Sequence, residues 1–427
     1  MPPRVAISKG TSPYEMLKDA FSFFDNFKEN ILGKNVVIKP NFGAWNTILP
    51  KNANELVVTS KNLLMATITF LKELGAASVT IAESAFIGND IDKIYQDMGL
   101  IKEFKNKNIQ LVNISKGPFQ KVELFDGISV EISDTILKAE CLINMPLLKT
   151  HGLTVVSLGL KNFKGALSDK SKRLFHREGL QQALAYLSSI IKPTINIVDG
   201  IIGLEGFGPV QTGSPINVGV IIVGDNLLAT DAVAASVMGF TPAEIPHLKL
   251  ASELINEPID LDAIEIVGES VDSVKKQFEP CPVGAAVYER GLSLIGFPTD
   301  AVSGNYSDHW CSMCMMNFMG TLWALKDDSG TNPKQKLFVV SDQADIPSEY
   351  EGQLILFGNC QARNRTKVEN NNYIFIEGCP PSQMKVYTTL GKLLFPRGRF
   401  IWGMLKRLFK GSKLSSLPQW TEKLPSS

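Results

Sequence analysis

The hydrophobic pattern along the chain alternates between two periods. Short apolar runs, mostly β-branched, predict strands at Val36–Lys39, Val79–Ala82, Cys141–Asn144, Ile195–Val198, Val218–Val223 and Ile264–Val267. Between them lie longer stretches with helical spacing. One runs from about Leu56 to Leu74 and closes at Gly75; another runs from about Glu178 to Ile191 and stops at Pro193; a third runs from about Thr230 to Met238 and closes at Gly239. Alternation of this kind predicts an α/β fold, with a mainly parallel sheet and flanking helices. Several strands run straight into polar or turn residues: Lys39-Pro40-Asn41, Glu83-Ser84, Asn144-Met145-Pro146 and Asp199-Gly200. In open α/β sheets ligands gather beyond the carboxyl ends of the strands, so these are the first places to expect a site.

The pattern changes in a Pro- and Gly-rich stretch from about Gln277 to Asp308. A first α/β domain is therefore expected over residues 1–276 and a second, smaller α/β domain over 277–382, with strands at Leu337–Ser341, Leu354–Phe357 and Tyr373–Ile376. A chain of 427 residues is also longer than a single core usually supports. The remainder, 383–427, reads as a basic amphipathic tail: no acidic residue occurs from Gln383 to Trp420, and cationic and apolar residues alternate at roughly helical spacing from Lys392 to Lys410. Such a segment lies on an anionic membrane surface, docks on a partner or packs on its own domain, and Pro396, Gly398 and Gly403 shorten any helix in it.

Composition narrows the function classes. An apolar share of 44% and a charged share of 20% are those of an ordinary globular protein. The 43 basic residues equal the 43 acidic ones, so there is no overall nucleic-acid footprint. The first residues show no signal-peptide pattern, and no stretch reaches the ~18 apolar residues of a spanning helix. A cytoplasmic location is expected, where thiols stay reduced and clustered cysteines point to metal or catalysis.

Four of the six cysteines fall late in the chain. Cys311-Ser-Met-Cys314 is a C-x-x-C pair, Cys360 ends the run that begins at Leu354, and Cys379 ends the run that begins at Tyr373. Two adjacent parallel strands would each deliver one cysteine at their carboxyl ends, and the C-x-x-C pair would supply the other two thiolates. Four thiolates hold either tetrahedral zinc or an iron–sulfur cluster. The wide split of the second pair, the proline after Cys379 and the apolar neighbours (Met313, Met315, Met316, Phe318, Phe357, Phe375) favour iron–sulfur, with zinc as the alternative. Gly378-Cys379-Pro380-Pro381 also resembles cluster-binding turns in hydrogenase small subunits. Cys141 reads as strand core, and Cys281, between two prolines, as either a fifth ligand or a loop residue.

From Lys149 to Arg177 there are seven Lys or Arg against one Asp, together with two of the chain's four histidines. Following directly on a strand end, this concentration describes a pocket for a small anion. Histidine moves protons at neutral pH, and a lysine crowded by cations loses its proton and serves as base or nucleophile. Lys149, His151, Lys161 and His176 are the catalytic candidates, and Lys39, Asn41, Asn162, Lys164 and Arg173 the substrate-binding ones. Lys170 and Lys172 read as solvated. The glycine-rich acidic loops from Asp199 to Pro209 and around Asp225 and Asp231 fit ordinary turn chemistry as readily as ligand binding. No dinucleotide fingerprint, Walker loop or nucleophile elbow is present.

In order along the chain, Val37-Ile38-Lys39-Pro40-Asn41, Asn144-Met145-Pro146, Lys149-Thr-His151, Leu160-Lys161-Asn162-Phe163-Lys164-Gly165, His176, Asp199-Gly200, Gly206-Phe-Gly208-Pro209 and Asp231-Ala-Val-Ala resemble the family known as domain of unknown function 362. The resemblance covers roughly residues 1–250. Many members carry ferredoxin-like cysteine motifs, so it implies iron–sulfur binding. This chain departs by lacking the compact C-x-x-C-x-x-C run followed by C-P, and has the dispersed four-cysteine set instead. The layout is also similar in plan to nickel-pincer lactate racemases, which pair histidines and a lysine near strand ends, although no motif is shared.

The expected function is that of an iron–sulfur oxidoreductase, with a 4Fe-4S cluster on Cys311, Cys314, Cys360 and Cys379, acting on a small anionic substrate and served by an electron-transfer protein. The alternatives are a proton-transfer isomerase or epimerase with a structural zinc site, and a non-catalytic electron carrier.

Overall fold

The computed structural model describes residues 2–45, 51–87, 89–282, 286–306, 312–341, 344–368 and 372–409. The chain divides into two compact units, Met1–Pro280 and Cys281–Ser427.

Among the described residues of the first unit twelve strands form: β1 (Arg4–Lys9), β2 (Asn35–Pro40), β3 (Ser78–Glu83), β4 (Ile109–Asn113), β5 (Phe119–Phe125), β6 (Ile128–Ser133), β7 (Cys141–Met145), β8 (Leu147–His151), β9 (Val155–Val156), β10 (Ile195–Gly206), β11 (Gly213–Gly224) and β12 (Glu265–Gly268). The main sheet runs β12-β1-β11-β10-β7-β2-β3-β4. The stretch from β10 to β4 is parallel, and β11 lies antiparallel to both β1 and β10. The expected mixed α/β architecture with a largely parallel sheet is therefore present. Strands β5 and β6 form a separate antiparallel pair.

Helix ends follow side-chain chemistry. The first predicted helix begins at Lys61, not Leu56, because Ser60 takes the cap position and its hydroxyl accepts from Leu63 N. Gly75, at φ +85°, closes it in the left-handed region that favours glycine. The helix Leu227–Val237 is buried on every side, so it shows no amphipathic stripe and starts earlier than periodicity predicts. Lys149 to His151, expected to follow directly on a strand end, instead lie within the fully buried strand β8, which pairs with β10 on one side and β9 on the other.

The second unit is built on a parallel sheet of four strands, β13 (Val302–Tyr306), β14 (Leu337–Ser341), β15 (Gln353–Phe357) and β16 (Tyr373–Ile376), in that order. The helices Gln383–Leu394 and Arg397–Phe409 pack on the helix Ser312–Ser329. Proline 396 separates the two, as its effect on helix continuity predicts. Residues 410–427 of the predicted tail lie outside the described residues.

Candidate functional site

Register brings the first site together. Lys39 of β2 lies opposite Asn144 of β7, and Asn144 opposite Asn196 of β10, so these three residues occupy one row across adjacent strands. The row sits at the carboxyl ends of β2 and β7, where the fold class places ligands.

A chain of four asparagine amides starts from this row. The Lys149 ammonium donates to Asn41 Oδ1 at 2.7 Å and to the Val57 carbonyl at 2.9 Å. Asn41 Nδ2 donates to Asn162 Oδ1 at 3.0 Å, Asn162 Nδ2 to Asn144 Oδ1 at 2.9 Å, and Asn144 Nδ2 to Asn196 Oδ1 at 3.2 Å. Asn196 Nδ2 ends the chain on the Gly224 carbonyl at 3.5 Å. Lysine at one end can only donate while charged, and a carbonyl at the other can only accept, so all four amides point the same way. Their oxygens face Lys149 and offset part of its desolvation.

Beside this chain lies a buried ion pair. Lys39 Nζ donates to Glu83 Oε1 at 2.7 Å, with both side chains almost fully enclosed. Glu83 Oε2 also accepts from Phe42 N at 3.0 Å, which ties the ends of β2 and β3 together. Lys172 Nζ donates to Ser84 Oγ at 2.8 Å, the Ala85 carbonyl at 3.0 Å and Asp169 at 3.1 Å. Lys172 is thus buried, which corrects its reading as a solvated residue. The cap residue Ser168 and Ser171, Lys172 and Phe175 of the helix Asp169–Glu178 are buried at i, i+3, i+4, i+7 spacing, but only Phe175 is apolar, so the sequence carries no signal that turns Lys172 inward. Glu83, Asn144 and Asn196 are further members that sequence reading did not assign.

Burial sets the protonation of this cluster. It lowers the pKa of Lys149 to about 7, with Glu83 opposing and Lys39 assisting. Lys39 and Lys172 are lowered for the same first reason. Burial raises Asp231 to about 7, although its carboxylate accepts from Gly159 N and Leu160 N, both at 2.7 Å. Asp231 thereby holds the short helix Leu158–Asn162 that carries Asn162. A Cβ on Gly159 would fall 2.7 Å from Asp231 Oδ1 and 2.8 Å from Asn144 Nδ2, so the approach needs glycine.

The remaining candidates are placed as follows. His151 is buried, and its Nδ1 accepts from Leu153 N at 3.0 Å, which puts the proton of the neutral ring on Nε2. Lys161 and Lys164 are half-buried. The charge of Lys161 reaches His247, whose pKa is lowered to about 3 by burial first and that charge second. Arg173 is exposed. His176 is in the helix Asp169–Glu178, but its side chain lies outside the described residues. Asp199 accepts from Ser60 N at 2.8 Å and Ile201 N at 3.2 Å, so it anchors backbone.

The second site lies at the carboxyl edge of the small sheet. Strands β15 and β16 are adjacent and parallel, and Cys360 and Cys379 each follow three residues after their ends. Cys314 comes from the first turn of the helix Ser312–Ser329 and is buried. A Cβ on Gly358, at φ +89°, would lie 3.8 Å from both Cys314 Sγ and Cys360 Sγ, so the two sulfurs are within twice that distance of each other. Asn359 N donates to the Gly378 carbonyl at 2.9 Å and Gly378 N to Asn359 Oδ1 at 2.8 Å, holding the turns of Cys360 and Cys379 together. Asn317 Nδ2 donates to the Pro381 carbonyl at 2.8 Å, linking the Cys379 turn to the helix of Cys314. Cys379 is exposed and Cys311 lies outside the described residues. Among the described residues no three His, Cys, Asp or Glu side chains are gathered closely enough to hold a metal. Burial raises the Cys141 thiol to about 11 and the Cys281 thiol to about 12, so both stay protonated at neutral pH.

Known proteins share parts of this chain. The thylakoid-associated protein sll1697 of Synechocystis sp. is 25% identical over 229 residues, 52% of this chain and 68% of that protein. The lactate racemase apoprotein from Thermoanaerobacterium thermosaccharolyticum superimposes with a TM-score of 0.38 at 13% identity, covering 80% of this chain and 69% of that one. A protein from Thermotoga maritima gives 0.36 at 11% identity, covering 86% and 97%. Both scores are too low to establish a shared fold. The model of one family, described as "Domain of unknown function (DUF362)", matches residues 36–236, which span β2 to the helix Leu227–Val237 and include every member of the lysine–asparagine cluster. Residues 36–236 of this chain are a DUF362 domain.

Proposed function

We propose that the chain is an iron–sulfur oxidoreductase of the cytoplasm, acting on a small anionic substrate at the lysine–asparagine cluster and exchanging electrons with a protein partner. The observation that carries the cluster assignment is the approach of Cys314, from a distant part of the sequence, to the Gly358 turn that carries Cys360. Soft thiolate ligands suit iron–sulfur clusters, and buried Phe318 and Phe357, with ring centroids 5.4 Å apart, supply apolar surroundings. Cys311, Cys314, Cys360 and Cys379 would hold the cluster, which supplies electron transfer when bound.

The chain's own residues do the rest. An anion is drawn by the excess of buried lysines: Lys39, Lys149 and Lys172 all feel the charge of one fully buried carboxylate, Glu83, and Asp169, half-exposed, pairs with Lys172. Asn41 orients the Lys149 ammonium, and near neutrality Lys149 is divided between charged and neutral forms, so it can give or take a proton. That property also favours a second reading, a proton-transfer isomerase or epimerase in which the same cysteines hold structural zinc.

Metal and sulfide analysis of protein purified without oxygen separates the two. About four irons and four sulfides, with a broad band near ~400 nm that bleaches on reduction, are expected. Single Cys→Ser changes at the four positions should lower the iron content. One zinc and no iron would overturn the cluster assignment in favour of the second reading.

A further inference from the structure

One surface of the C-terminal unit takes no part in this chemistry. The helices Gln383–Leu394 and Arg397–Phe409 both pack on the helix Ser312–Ser329 and touch each other. Their inner faces are filled. Tyr387, Leu390, Leu394 and Phe400 are buried, the Tyr387 and Phe400 rings lie 5.5 Å apart, and the Tyr387 hydroxyl donates to Asp328 at 2.6 Å. A Cβ on Gly403 would come within 2.4 Å of the Asp328 carbonyl oxygen, so backbone meets backbone there.

The outer faces differ. Met384 is 56%, Ile401 39% and Trp402 61% exposed, and Trp402 is the most exposed large apolar side chain among the described residues. Lys385, Lys392, Arg397 and Arg399 are exposed on the same two helices. No Asp or Glu occurs between Glu377 and Glu422, and Glu377 itself stands 3.9 Å from Lys385.

We propose that this two-helix face docks on the surface of an anionic lipid bilayer. Met384, Ile401 and Trp402 enter the interfacial layer, and Lys385, Lys392, Arg397 and Arg399 meet the lipid phosphates. Charge complementarity selects an anionic partner, and the apolar side chains select one with an apolar layer beneath its charge. A nucleic acid offers phosphates but no such layer for Met384 and Ile401. Tryptophan favours the bilayer interface because its ring is apolar and its N–H is polar. The attachment is peripheral: no described helix is long and apolar enough to cross a membrane. This inference is independent of the cluster and of the substrate.

The test is sedimentation of the full chain with vesicles of phosphatidylcholine alone or with about one third phosphatidylglycerol, at low and physiological salt. Binding only to the anionic vesicles, weakening with salt, is expected. The pairs Ile401→Ser with Trp402→Ser, and Lys392→Glu with Arg399→Glu, should each reduce binding by about tenfold or more, with melting temperatures unchanged. These side chains are exposed, so such changes leave the core intact. Absence of binding to anionic vesicles at low salt, equal binding to neutral ones, or unchanged binding by both variant pairs would overturn the proposal. Retention on heparin or single-stranded DNA without vesicle binding would overturn it too, and assign the face to another polyanion.

Discussion

Replacement of Lys149 by methionine tests the electrostatics of the site most directly. Burial lowers this lysine from an ordinary value of 10.5 to about 7. At ~1.36 kcal/mol per pH unit, the gap corresponds to about 5 kcal/mol of disfavour for the charged form in the folded state. The sign follows from proton counting. Between pH 7 and 10.5 the unfolded chain holds a proton that the folded chain has released, so stability rises with pH across that window. Below the folded value the penalty is present in full, and above the unfolded value it is gone.

Lys149→Met abolishes this dependence. It also leaves the half-buried Asn41 Oδ1 and the buried Val57 carbonyl without their donor, which costs up to about 1–3 kcal/mol for each group. At pH 7 the two effects largely cancel and the variant is close to wild type. At pH 9.5 the relief has mostly vanished while the unsatisfied acceptors remain, so the variant should be about 3 kcal/mol worse relative to wild type than at pH 7. Urea unfolding of both proteins at several pH values reads this difference. Parallel stability curves, within ~0.5 kcal/mol over the window, would refute the reasoning and mean that Lys149 titrates like a solvated lysine.

Other predictions concern neighbouring contacts. Glu83→Gln leaves Lys39 buried without its counter-charge and should lower stability by about 3–5 kcal/mol, seen as a large fall in melting temperature; combining it with Lys39→Met should recover part of the loss. Gly165→Ala sets a Cβ 2.8 Å from Lys39 Nζ and 2.9 Å from Glu83 Oε1, so a loss of about 1–3 kcal/mol is expected in the same assay. Gly358→Ala forces a side chain into φ +89° between two cysteine sulfurs; about 1–2 kcal/mol of strain and a reduced iron content should follow, whereas the exposed Gly398→Ala should leave iron unchanged.

Much of this protein was determined by local sequence. The strands β2, β3, β7, β14, β15 and β16 fall where short apolar runs predict them; β2, β7, β14 and β15 are buried almost throughout, and such a strand needs an unbroken apolar string. Helix ends at Gly75 and Gly239 follow from the positive φ that glycine adopts freely. The position of Lys39 and Asn41 at the end of β2 was also readable, since polar residues there interrupt a buried apolar run.

Tertiary structure alone decided the rest. Strand β8 was not among the strands the pattern predicts, because its lysine and histidine oppose burial; pairing with β10 and the acceptors on Asn41 and Val57 overcome that preference. The amide chain joins residues of four separate segments, and only strand register aligns Lys39, Asn144 and Asn196. The meeting of Cys314 with Cys360 likewise depends on a helix start and a strand end being brought together by the packing of the second unit. Periodicity reports which side of an element is buried, but it carries no information about which other element lies against that side. Partners are chosen by the global packing of the sheet, and that is where the chemistry of this chain was assembled.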